Sequence, residues 1–100
     1  MIIRLERSGG LMGIPLRAEI DTRKLPTDQG ESIHKLVENA GFFNLPEKII
    51  EKSKGADRFQ YVLGIEDGGS RHSVTVGEAD APPALQNLIQ ELTQLARANR

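Results

Sequence analysis

Twice along this chain the spacing of apolar residues passes from a period of two to a period of about 3.6, and that pattern constrains the fold more than any other feature. Ile3 and Leu5 alternate with Arg4 and Glu6, and Ile14, Leu16, Ala18 and Ile20 alternate with Pro15, Arg17, Glu19 and Asp21. Each run reads as a strand with one buried and one wet face. Ile33, Leu36, Val37 and Ala40 then share one face of a helix. Thr27 or Asp28 is placed to cap that helix, with Glu31 completing a capping box behind Asp28 and Gly41 supplying a left-handed stop. Phe42-Phe43-Asn44-Leu45-Pro46 is expected to turn back onto the core, ahead of a short helix through Ile49 and Ile50.

Period two returns at Phe59, Tyr61, Leu63 and Ile65, and again at His72, Val74 and Val76, on either side of the hairpin turn Asp67-Gly68-Gly69-Ser70. Leu85, Leu88, Ile89, Leu92, Leu95 and Ala96 form the stripe of a last helix, with Pro82 and Pro83 in its first turn and Asp80 as its cap. The order ββαββα predicts an α+β fold in which a four-stranded antiparallel sheet carries the helices on one face.

A length of 100 residues, with 38% hydrophobic and 27% charged side chains, suits one domain spanning 1–100 that folds on its own. Thirteen basic against 14 acidic residues leave a net charge of −1, so nucleic acid and anionic lipid are not expected partners. Cysteine is absent, which excludes disulfides, thiolate catalysis and cysteine zinc sites. The N-terminus is charged by Arg4 and lacks a signal peptide's apolar run, and no stretch approaches membrane length. A cytoplasmic location follows as the expectation.

Enzyme signatures such as HExxH, GxSxG, Walker A and a Cys–His pair are missing, and the two histidines, His34 and His72, fall in different elements. No catalytic activity and no cofactor are expected. The loop Ser8-Gly9-Gly10-Leu11-Met12-Gly13 leads into a strand rather than a helix, so it reads as a hairpin turn and not as a phosphate cradle. Two large apolar side chains at such a tip are unusual. Leu11 and Met12 either fold back onto the core or are offered to a partner. Asp57, with Arg58 beside it, ends a second polar loop, where it either makes a local turn bond or faces outward. If the first helix returns the chain to the sheet end that carries the first hairpin, Asp57 comes to lie beside Leu11 and Met12, and Glu78-Ala79-Asp80 reaches the same end.

Arg7-Ser8-Gly9-Gly10-Leu11-Met12-Gly13-Ile14, Phe42-Phe43-Asn44-Leu45-Pro46 and Asp57-Arg58-Phe59-Gln60-Tyr61, followed by Asp67-Gly68, His72, Val74 and a Pro-initiated leucine helix, together resemble the emfourin family across nearly the whole chain. Emfourins are small bacterial inhibitors of protealysin-like enzymes within the thermolysin family of zinc metalloproteases. The family pattern has an aromatic and then a small residue after the double glycine; here Leu11 and Met12 stand there, and Pro15 is a second departure. The resemblance implies a monomer when free whose partner is a protealysin-like metalloprotease. It further implies that Gly9, Gly10, Leu11, Met12 and Gly13 enter the substrate cleft, while Asp57, flanked by Arg58, reaches the target's zinc; the chain has no metal of its own. The alternative is an interaction module unrelated to proteolysis.

Overall fold

The computed structural model describes residues 1–9, 15–50 and 59–98. Its elements are β1 (Ile2–Gly9), β2 (Leu16–Asp21), α1 (Thr27–Ala40), β3 (Lys48–Ile49), β4 (Phe59–Asp67), β5 (Ser70–Gly77) and α2 (Pro83–Ala98), with 3₁₀ turns at Thr22–Lys24 and Phe42–Asn44. The strands form one sheet in the order β2-β1-β4-β5-β3. Four of them pair antiparallel, as their alternation implies.

The fifth strand corrects the expectation of a four-stranded antiparallel sheet. Lys48–Ile49 pairs parallel to Thr75 and Val76 of β5, so the sheet is mixed. The Thr75 N–H donates to Glu47 O at 2.8 Å. The segment expected to be a short helix through Ile49 and Ile50 is therefore extended. Pro46 keeps Leu45 extended (φ −75°, ψ 149°), β-branched residues follow, and the outer edge of β5 offers backbone groups that need partners. A helix of so few residues has no comparable gain.

Strand register places Ile3, Leu5, Leu16, Ile20, Leu63, Ile65, Val74 and Val76 on the covered side, where they join Ile33 and Val37 of α1 and the α2 stripe in one core. Both helices thus lie on one face. The wet face carries register-matched ion pairs instead: Arg4–Glu19, Arg17–Glu6 and Arg71–Glu66 are each direct cross-strand neighbours. Exposed pairs of this kind contribute at most about 1 kcal/mol each, so their main effect is to hold register and neutralise that surface.

Helix boundaries differ in detail from the sequence reading. α1 starts at Thr27 with Pro26 as its cap residue, whose carbonyl accepts from the Gly30 N–H at 2.9 Å, and no side chain caps it. Thr27 and Asp28 fall inside the first turn, where the Asp28 carboxylate meets the positive end of the helix dipole. Gly41 does end the helix in the left-handed region (φ 58°), its N–H bonded to the Val37 and Glu38 carbonyls. α2 begins at Pro83, and Asp80 belongs to the preceding turn, its N–H bonded to Gly77 O.

At the end of β2, Asp21 accepts from Arg23 Nη2 at 2.8 Å, from Arg23 Nε at 3.0 Å and from the Arg23 backbone N–H at 3.0 Å. The side-chain bonds and then the backbone bond hold its carboxyl down from 3.8 to about 2. Because the folded value lies below the unfolded one, the stabilisation is complete above pH 3.8 and fades as pH falls through about 2. We expect carboxyl ¹³C NMR of the folded chain to place the Asp21 midpoint near 2, and Arg23→Ala to raise it while the backbone N–H keeps it below the ordinary aspartate range.

Candidate functional site

β1 and β4 set the geometry of one end of the sheet. Gly9, the last residue of β1, lies opposite Phe59, the first residue of β4, and Gln60 lies opposite Gly77, the last residue of β5. The Glu78 N–H donates to Phe59 O at 3.1 Å, extending the β4–β5 ladder by one bond. The chain therefore leaves β1, enters β4 and leaves β5 at three neighbouring positions. At the opposite end, Gly68 (φ 60°) turns β4 into β5 and Ile2 faces Glu66, which makes Asp67-Gly68-Gly69-Ser70 an ordinary hairpin remote from this cluster.

Of the residues singled out from sequence, Gly9 is described: it is exposed and adopts φ 86°, a conformation that favours glycine, as the chain turns out of β1. Gly10, Leu11, Met12, Gly13, Asp57 and Arg58 lie outside the described residues. What the register brings together is the pair of strand ends that flank them, Gly9 and Phe59.

The two histidines are occupied in separate packing contacts. The His34 Nε2 sits 3.2 Å from Thr22 Oγ1, which also donates to Met1 O. The His72 Nε2 donates to Leu45 O at 2.7 Å while its ring meets the edge of Phe42, tying the 3₁₀ turn to β5. No group of three or more potential metal-ligating side chains occurs among the described residues.

One residue at the loop-bearing end carried no assigned role in the sequence reading. Arg7 follows Ile3 and Leu5 in the inward phase of β1 and faces Tyr61 across the ladder, so its side chain lies on the helix-covered side. The Arg7 guanidinium carbon lies 4.6 Å from the centre of the Phe59 ring. Its Nε is buried without a hydrogen-bond partner among the described residues, a state that costs roughly 1–3 kcal/mol for a neutral donor and more for a charged one. The signal was present in the alternation itself, as a cation in phase with Ile3 and Leu5.

Arg7 lines a groove of about 410 Å³ between the sheet end and α2, together with Tyr61, Glu78, Gln90, Gln94 and Arg97. A larger groove of about 760 Å³ lies at the other end of the sheet, between the Thr22–Lys24 turn and α1. It is an open surface of mixed charge, with Arg23, Asp28, Glu31 and Lys35 along it, and none of the strand ends that flank the proposed binding loops borders it.

The described residues thus form a helix-backed mixed sheet in which the end of β1, the start of β4 and the end of β5 lie side by side. The family model for Emfourin matches residues 5–93, and the chain belongs to the Emfourin family. Membership carries the general role of a metalloprotease inhibitor, with a protease as partner. No solved structure matches the chain. No helix of the described residues is long and apolar enough to cross a membrane.

Proposed function

We propose that this chain inhibits a protealysin-like metalloprotease of the thermolysin family by occupying its active-site cleft, and that it acts in the cytoplasm as a monomer without catalytic activity of its own. Support comes from the family together with one observation, the register that sets Gly9 opposite Phe59. The Gly-rich segment follows Gly9 and the segment ending in Asp57 and Arg58 precedes Phe59 in sequence, which supports a shared binding end.

A thermolysin-type enzyme keeps one zinc position open for water or substrate, and a carboxylate oxygen at about 2.0–2.2 Å fills it and displaces the nucleophilic water. Asp57 is assigned that role. Leu11 and Met12 occupy the neighbouring apolar substrate pockets, and Gly9, Gly10 and Gly13 let the hairpin enter a narrow cleft. Arg58 forms the rim.

Titrating a fixed amount of a protealysin-like enzyme with the purified chain is expected to reduce peptide hydrolysis linearly to zero at one inhibitor per enzyme. Full activity in the presence of excess chain overturns the reading.

A further inference from the structure

We infer that the groove between the Arg7 end of the sheet and α2 is a second contact site, which receives the carboxylate of an acidic side chain from the protein partner. The inference rests on the inhibitor reading for the identity of that partner. It stands on three observations of this chain. A guanidinium is held in the covered phase of β1 by the Phe59 ring, yet its Nε has no acceptor among the described residues. A second guanidinium, Arg97, and the amides of Gln86, Gln90 and Gln94 line the same groove from α2. Glu78 is the one carboxylate in that lining, and no ion pair among the described residues joins it to either arginine.

The chemistry selects the ligand. Arg presents a planar fork of donors and no acceptor, and because Nε is buried, a carboxylate from outside meets the partly exposed Arg7 through its terminal nitrogens, in two parallel bonds. Ring contact with Phe59 restricts the guanidinium's orientation, so less freedom is lost when an oxyanion arrives. Amide side chains on successive turns of α2 can donate to the second carboxylate oxygen. The groove also lies at the sheet end where Gly9 faces Phe59, so a protein engaged there reaches it without a second docking event.

The test uses the free chain and a probe whose only charge is a side-chain carboxylate, N-acetyl-aspartate methylamide, with the asparagine analogue as control at constant ionic strength. Following the Arg7 Nε–H resonance by ¹⁵N NMR, we expect a saturable shift with a midpoint on the order of 10 mM for the aspartate probe and none for the control. Absence of saturation, or an equal response to the control, overturns the site. Inorganic phosphate that shifts the resonance where the aspartate probe does not overturns the carboxylate assignment.

Gln90→Glu places a tethered carboxylate in the groove. It is expected to weaken the probe response at least about fivefold and to weaken protease inhibition about tenfold with little change in Tm, whereas Asn87→Asp, outside the groove lining, leaves both unchanged. Intact stoichiometric inhibition with no probe response removes the groove alone; a probe response with no inhibition of any protealysin-like enzyme removes the protease reading alone. Unaltered inhibition by Gln90→Glu shows that the protease does not use the groove and overturns the inference.

Discussion

Replacing Asp57 with alanine is expected to raise the inhibition constant against a protealysin-like enzyme by roughly 100-fold or more while Tm stays within about 2 °C, the pattern of a desolvated interface anchor rather than a fold residue. The size follows from what the carboxylate is asked to do. In the proposed role the carboxylate oxygen takes the zinc position of the catalytic water, so its removal lifts the block itself. Asp57→Asn discriminates further, because a neutral amide oxygen is a poorer zinc ligand than a carboxylate; it should recover little of the inhibition. Parallel titration of enzyme activity and thermal unfolding of each variant checks the result. Equal losses in both would mean that Asp57 serves a local turn.

Phe42→Ala is expected to give the largest loss of stability, about 3–5 kcal/mol, with Tm falling by about 15–30 °C. Phe42 is 1% exposed and its ring makes edge contacts with Phe43 and His72, each at 5.5 Å between centroids. Truncation therefore removes both transfer free energy and the packing that seats the turn between α1 and β3. It also leaves the His72 ring without the wall that holds it against Leu45 O. Urea unfolding followed by far-UV circular dichroism measures the cost, and an unfolding free energy within about 1 kcal/mol of the parent would show that the turn packs independently of the core.

Much of this fold was legible because a half-buried strand and a one-faced helix leave different periods. Leu63 and Ile65, Val74 and Val76, and the α2 stripe all face where their spacing places them. What periodicity cannot carry is an element shorter than its own repeat. Lys48–Ile49 is two residues long, and its pairing is decided by the free edge of β5, which is distant in sequence. The start of α1 escapes the capping pattern for a related reason: Pro26 supplies the first accepting carbonyl without a side-chain cap, so the polar residues after it lie inside the first turn. Arg7 was visible as a phase error in β1, but only the Phe59 ring and the α2 groove give that error a meaning. The candidate loops themselves rest on Leu11, Met12 and Asp57, residue types whose placement depends on strands far away in the chain.

The position of β1 has a consequence for how the protein is made. This first strand sits inside the sheet, hydrogen-bonded to β2 on one side and to β4 on the other, with Ile2 opposite Glu66 and Gly9 opposite Phe59. During synthesis its second partner does not exist until most of the chain has been translated, an interval of roughly 3–12 s at about 5–20 residues per second. Through that time one backbone edge of β1, flanked by Ile3 and Leu5, is open to any strand that passes. Arg4, Glu6 and Arg7 along the same edge then act as guards for the nascent chain, since charged side chains discourage pairing with foreign strands until β4 arrives.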